Sequence, residues 1–493
     1  MEVVHRGIKR INLVLPVSNH WLALFALIPV GLCTGTLFVF SVYSTQLGDQ
    51  CGLDSRQISN LNILCTIGSS VGSIIGGIIT DYYGSQMPML LSSITLSWGY
   101  YWLYTLYSLG NQANYVQLLI SMFLIGIGSV AGYFSAIKAV TLHFPNFKGS
   151  AQSITIASFA ISSLLFSYYS NYINDTQLFL KHLSIICGLG IFIGFLFIRI
   201  DGSIDNVVLH DINEIEHEVV NSDGLLSHHI EINNDNIGNN DIIVNDINSD
   251  QDLSKSLKNF GIKKSLLSPI FLYHYGVFAI IQGLGQMYIF SIGYILKAIH
   301  YKFSQETSLS LSKLQSIHVS IISISSFIGR LSSGPESDFL VHKLKLERHW
   351  IIILGLVFMF TGHTLSTIDI NNWPFVNVQI LLLIISMLIG YSYGFSFTSY
   401  PAILSDIFNM KYYSLIWGTM YTATSFGLTL MSKLFASNYD SNTSWDEESH
   451  QYICKLGSNC YHQTFIITSC LCVVSAGLIW GYIFHSRKVI RLR

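Results

Sequence analysis

GSIIGGIITD, residues 72–81, and GRLSSGPESD, residues 329–338, share one frame: a Gly, four residues, a second Gly, three residues and an Asp. With this composition, chance would supply about 0.1 match to such a frame in the whole chain. Both copies close a long apolar run, so the sequence contains a repeated unit larger than the ten residues quoted. Outward from these two corners the chain is a series of apolar stretches with short polar joins. Of its 493 residues, 51% are hydrophobic and 11% are charged, against about 25% charged in soluble domains. About 20 apolar residues span a bilayer as a helix. Runs of that kind lie near 21–45, 57–79, 87–108, 115–142, 149–170 and 181–200, then near 267–297, 310–334, 349–368, 375–404, 411–436 and 462–485. The expectation is an all-α polytopic membrane protein with twelve transmembrane helices in two pseudo-symmetric six-helix halves, residues 21–200 and 267–485.

The polar segments complete the plan. Residues 1–20 form a basic tail, and the run that follows is too long for a signal-peptide core and lacks a small-residue cleavage site. Residues 201–266 form an Asn-rich linker in which 13 of the 28 acidic residues lie, a composition that predicts disorder. Residues 486–493 form a second basic tail. With the N-terminus in the cytosol, cytosolic segments hold 17 of the 26 Lys and Arg residues and the opposite side holds 7, which satisfies the positive-inside rule. Two N-x-[ST] sequons, at Asn174 and Asn442, then fall in non-cytosolic loops and are candidate glycosylation sites. Cys454 and Cys460 share one such loop, where a disulfide can persist. Cys51 is a competing partner on that side. The net charge of −2 gives no basic face for nucleic acid. No P-loop, nucleophile triad or zinc spacing is present, so neither a cofactor, a metal nor an enzyme is expected.

Six helices, a hydrophilic linker, six more helices and a repeated Gly/Asp corner resemble the major facilitator superfamily. The resemblance covers the chain apart from the linker. It implies that Gly77, Asp81, Gly334 and Asp338 latch the cytosolic side. The physics agrees: small residues let helices approach closely, and a carboxylate in the loop DYYGSQ, residues 81–86, can accept N–H bonds from a helix N-terminus. Tyr82, Tyr83, Ser85 and Gln86 stand where this family often has basic residues, which implies a latch less dependent on charge. LCTGTLFVFSVYSTQL in the first helix and GRLSSGPESD resemble the fungal monocarboxylate-transporter homologues assigned to the vacuolar membrane, with the plasma membrane as the alternative. True monocarboxylate transporters place an Asp one turn before an Arg in the eighth helix, and here Ser326 stands four residues before Arg330.

The resemblance further implies that the first, fourth, seventh and tenth helices line the solute cavity. Candidate solute-binding residues there are Thr36 and Tyr43 on a face with Cys33 and Phe40, then Tyr133, and then Gln282 and Gln286 on a face with Tyr275 and Gly293. Tyr393, Phe397 and Tyr400 follow in the tenth. Arg330 belongs to the repeated corner and adds a positive charge, and both it and Lys138 are candidates to snorkel toward the helix ends. No acid lies deep within a span, so His318 and His363 remain as the titratable groups inside the membrane. The expected function is secondary or facilitated transport of a small polar solute or organic anion, monocarboxylates among them, by a protein whose partners are that solute and the bilayer and which is a monomer. The competing reading is a transporter-like sensor that signals through the linker.

Overall fold

The computed structural model describes residues 6–8, 19–53, 55–173, 175–199, 261–303, 310–446 and 451–491. Most of the acidic linker, most of the N-terminal tail and the Asn174 sequon lie outside the described residues. Within them, twelve long helical spans run in alternating directions. Span 1 is composite: His20–Thr34, a 3-10 segment Gly35–Val39, then Phe40–Cys51. Spans 2 to 6 are Ser55–Tyr83, Gln86–Leu109, Tyr115–His143, Lys148–Ile173 and Thr176–Phe197. Spans 7 to 12 are Pro269–Lys302, Leu311–His342, His349–Leu365, Phe375–Ile407, Tyr413–Ser441 and His462–Arg491. The start of span 1 and the end of span 12 therefore lie on one side, called the terminus side below. Eight helices are long and apolar enough to cross a membrane by length and composition. Span 9 is apolar but has 17 residues, and spans 3, 8 and 11 dilute their apolar content with Ser, Thr and Tyr.

Local chemistry fixes where spans begin. The side chains of Asn114 and Asp175 accept the backbone N–H groups of Val116 and Gln177, both at 2.9 Å, which satisfies donors that a helix start leaves open. Ser268 accepts from Phe271 N at 3.2 Å with Pro269 at the first helical position, where a missing N–H costs nothing. The Asp175 cap starts span 6 at Thr176, five residues before the apolar run that marks it in the sequence.

Glycine spacing fixes how the spans pack. Gly68, Gly72 and Gly76 on span 2 recur every four residues and meet Phe123, Ile127 and Ala131 on span 4, also every four. A Cβ at Gly72 would stand 2.7 Å from the Ile127 Cα, so only Gly permits this approach. The second half repeats the contact: Gly329 on span 8 abuts the Tyr391 backbone of span 10, and Gly390 on span 10 abuts Ile322 of span 8. Each half has its own apolar core. The core of the second half also takes in Tyr133, Phe134, Ile156 and Phe159 of spans 4 and 5, so the seam between the halves is filled there.

Two expectations are corrected. Asp81 is not in a loop, because span 2 runs to Tyr83 and the turn is Gly84 and Ser85, with Gly84 at φ 81°. Span 8 likewise does not stop at Gly334; it continues through Pro335 to His342. Both aspartates thus sit on helical turns, held at a fixed height on a rigid rod.

Candidate functional site

The two corners form a symmetric clamp across the seam. Asp81 at the end of span 2 accepts from Ser414 N at 3.2 Å and Leu415 N at 2.9 Å, the first turn of span 11 in the other half. Asp338 on span 8 accepts from Gly149 N at 3.2 Å, Ser150 N at 2.8 Å and Ser150 Oγ at 2.7 Å, the first turn of span 5. A helix start presents free N–H donors and the positive end of its dipole, so each carboxylate caps a helix of the opposite half. Gly77 and Gly334 make room for this. A Cβ at Gly77 would lie 2.6 Å from the Ser414 carbonyl, and one at Gly334 would lie 2.6 Å from Ser153 Cβ.

Cations complete the clamp, which corrects the expectation of a weakly charged latch. Lys138 does not snorkel; it is 6% exposed, pairs with Asp81 at 2.7 Å and donates to the Lys411 carbonyl at 3.4 Å. Arg348 pairs with both Asp338 and Asp406 at 2.7 Å, and Lys148 reaches Asp406 at 3.2 Å. The basic residues that the corner lacks come from span 4 and from the start of span 9. His342 on span 8 also bonds the Asn146 carbonyl. The terminus side is therefore closed.

Away from the clamp, a cavity of about 190 Å³ opens between the halves, bounded by spans 1, 2, 7 and 11. Its polar lining includes Asn62, Thr66, Ser69, Gln286, Tyr421 and Thr424. Gln286 donates to Tyr393 Oη at 3.3 Å. Beneath that tyrosine lies Arg330, 4% exposed, its guanidinium carbon 4.7 Å from the Phe397 ring centroid and 5.5 Å from that of Tyr393. Burial excludes snorkelling for Arg330 as well. Its Nε contacts Ser326 Oγ at 3.5 Å, and its field reaches Tyr133 and Tyr421. Arg330 Nη1, Tyr133 Oη and Gln286 Oε1 are all buried without a hydrogen-bond partner. A buried, unpaired charge costs several kcal/mol, and cation–π contact returns only about 2 kcal/mol.

The structure thus brings together Tyr133, Gln286 and Arg330 from the residues singled out in the sequence, and adds Tyr393 and Phe397. Gln282 is fully buried one turn toward the clamp, and neither atom of its amide is bonded. Thr36 and Tyr43 are not brought to the cavity. Thr36 donates to the Cys33 carbonyl at 2.7 Å and approaches Cys187 of span 6 at 3.7 Å, while Tyr43 is buried in the first half's core. The 3-10 segment Gly35–Val39 rotates this face by more than the 100° per residue of an α-helix, so Leu37, Phe38 and Phe40 reach the cavity instead. The lining residues of spans 2 and 11 were missed. Asn62, Thr66 and Ser69, at steps of four and three, form a polar helical face visible in the sequence.

His318 and His363 serve the second half's interior. His318 Nδ1 lies 2.8 Å from Ser386 Oγ, which lies 2.8 Å from Tyr288 Oη, and His363 Nδ1 lies 2.8 Å from Thr468 Oγ1. Neither histidine lines the cavity. Cys454 and Cys460 are joined by a disulfide in the loop before span 12, next to a two-stranded antiparallel ribbon of Ser444–Asp446 and Gln451–Ile453. Asn442 is half-buried and donates to the Asn438 carbonyl at 2.9 Å. Among the described residues, no group of three His, Cys, Asp or Glu side chains could hold a metal ion.

Two six-helix halves, clamped on one side and hollow on the other, define a polytopic helical membrane protein of the transporter class. The chain belongs to the Major Facilitator Superfamily, whose sequence pattern matches residues 23–427. It is similar to "Uncharacterized membrane protein YMR155W" of Saccharomyces cerevisiae, at 27% identity over 93% of this chain and 94% of that protein. It is also similar to "Probable transporter MCH1" of Wickerhamomyces anomalus, at 27% identity over 83% of this chain and 78% of that one. The solved structure of the proton:xylose symporter XylE, bound to 6-bromo-6-deoxy-D-glucose, shares the fold with a TM-score of 0.60 at 14% identity, over 94% and 96% of the two chains.

Proposed function

We propose that this protein moves a small organic anion, monocarboxylates among them, across the vacuolar membrane by alternating access, with both termini in the cytosol. The observation that carries the reading is Arg330: a buried cation with an unpartnered Nη1, beneath a cavity at the seam, whose field reaches the unpartnered Tyr133 Oη. A carboxylate supplies the charge and the acceptors that this set lacks, and a bidentate arginine–carboxylate bond is the strong form of that pairing. At about 190 Å³, the cavity is below the range of about 300–1,000 Å³ typical of drug-sized ligands, which favours a small solute. The orientation is supported by the charge bias and by the Cys454–Cys460 disulfide, which belongs on the non-reducing side. The clamp then closes the cytosolic side, and the cavity faces the lumen.

The test is uptake of radiolabelled small monocarboxylates, with a neutral sugar beside them, into proteoliposomes of the wild type and Arg330→Gln. Saturable carboxylate uptake that drops at least tenfold in Arg330→Gln is expected. Sugar uptake without carboxylate uptake, or carboxylate uptake unchanged in the variant, overturns the reading.

A further inference from the structure

The cavity wall is mixed, and much of it away from Arg330 is apolar. Gln286 and Tyr421 lie toward Arg330, whereas Leu37, Phe38, Phe40, Phe290 and Leu428 supply apolar wall. Phe38 and Phe290 are large and 44% and 55% exposed, so this wall stands ready to cover something. Outside spans 2 and 11 lies a second hollow of about 210 Å³, bounded by Ile67, Val71 and Ile74. The two hollows share Thr66 and Ser425 in their walls. Toward the terminus side the same two spans press together: Ser73 Oγ donates to the Gly418 carbonyl at 2.9 Å, and Gly77 packs on Ser414. The gap thus lies around the middle of the two spans and stops short of the clamp. Ile63 and Phe426, on the same two spans, are 52% and 62% exposed, as side chains that meet lipid are.

We infer that the solute is an amphipathic monoanion, a carboxylate carrying an apolar chain, which reaches the cavity from the bilayer through the slit guarded by Thr66 and Ser425. The inference rests on the proposed anion site and names its substrate class. One buried cation with neutral hydrogen-bonding groups around it matches one negative charge. The phenylalanine wall discriminates by apolar area, and each methylene it covers tightens binding about fourfold, the equivalent of about 0.8 kcal/mol. A solute whose chain is already dissolved in lipid has no need to cross water to reach such a wall. A slit lined by two small hydroxyls, of which Thr66 Oγ1 bonds back to the Asn62 carbonyl of its own helix at 3.0 Å, admits a chain with little desolvation.

The experiment uses the full chain in lipid nanodiscs, with partitioning into empty nanodiscs subtracted. Bound tritiated octanoate is competed with acetate, butanoate, hexanoate and octanoate, for the wild type, Arg330→Gln and Ile67→Trp. Ile67 lines only the outer hollow, so its variant obstructs the route and not the site. Competition should strengthen two- to fourfold per added methylene in the wild type and vanish in Arg330→Gln. Ile67→Trp should bind acetate as the wild type does but take up octanoate at least threefold more slowly. Arg330-dependent binding that is flat with chain length overturns the amphiphile and leaves the anion site standing. The absence of Arg330-dependent binding at every length overturns the anion site itself. Octanoate association at the wild-type rate in Ile67→Trp overturns the lateral route.

Discussion

Lys138 and Arg330 are both buried, at 6% and 4% exposure, yet their surroundings treat them in opposite ways. Lys138 has a carboxylate at 2.7 Å. Arg330 has two aromatic faces, a weak contact to Ser326 and a vacant donor. Removing one partner of a buried pair costs about 3–5 kcal/mol because the other charge is left stranded. Lys138→Met should therefore loosen the clamp, and a cysteine placed at buried Ser153 should react with a thiol reagent at least tenfold faster in that background. Reaction at the parent rate would show that Asp81 is held by the span 11 backbone alone. Arg330→Met should behave differently. It removes a charge that no partner compensates, so the apparent Tm should rise while solute binding disappears, the trade-off of a site built for function. A fall in Tm with binding retained would make Arg330 a packing residue. Arg330, Gln286 and Tyr133 were legible in the sequence because polar side chains deep in apolar runs are conspicuous. Lys138 was misread because its partner, Asp81, lies 57 positions away and only the fold joins them.

At the scale of elements, small residues decide how closely helices approach and hence whether a carboxylate can reach a helix start across the seam. Gly77 and Gly334 have backbone or Cβ atoms of the opposite half where a Cβ would go, whereas Gly276 on span 7 has nothing within 4 Å. Gly77→Ala or Gly334→Ala should force spans 2 and 11, or 8 and 5, apart and speed labelling at Ser153 as Lys138→Met does. Gly276→Ala should leave labelling unchanged and stabilise span 7 slightly, because Ala is the better helix former. Equal labelling in all three would detach the repeated corner from closure. The Gly/Asp frame was legible because it occurs twice. Its helical continuation was not, because Gly-Pro at residues 334–335 reads as a stop signal, although the helix runs on to His342. The rotation of span 1 escaped for a related reason: no residue type marks a 3-10 segment, and Gly31 and Gly35, which seat it against span 5, read as ordinary packing glycines.

At the scale of the molecule, the twelve-span plan was legible from apolar runs alone, since a bilayer imposes span length directly. The closed side was not, because closure is made of contacts between residues far apart in sequence, such as Asp81 and Leu415, 334 positions apart. On the proposed function, the clamped side opens during each transport cycle. Asn146 and His342 touch across that side, one from each half. The measurement is carboxylate flux through Asn146→Cys/His342→Cys with the six free cysteines replaced, before and after oxidation, with each single-cysteine protein as a control. The expected result is a cross-link that forms readily, stops flux and releases it again on reduction, while both controls keep transporting. Full flux through the cross-linked protein would contradict it.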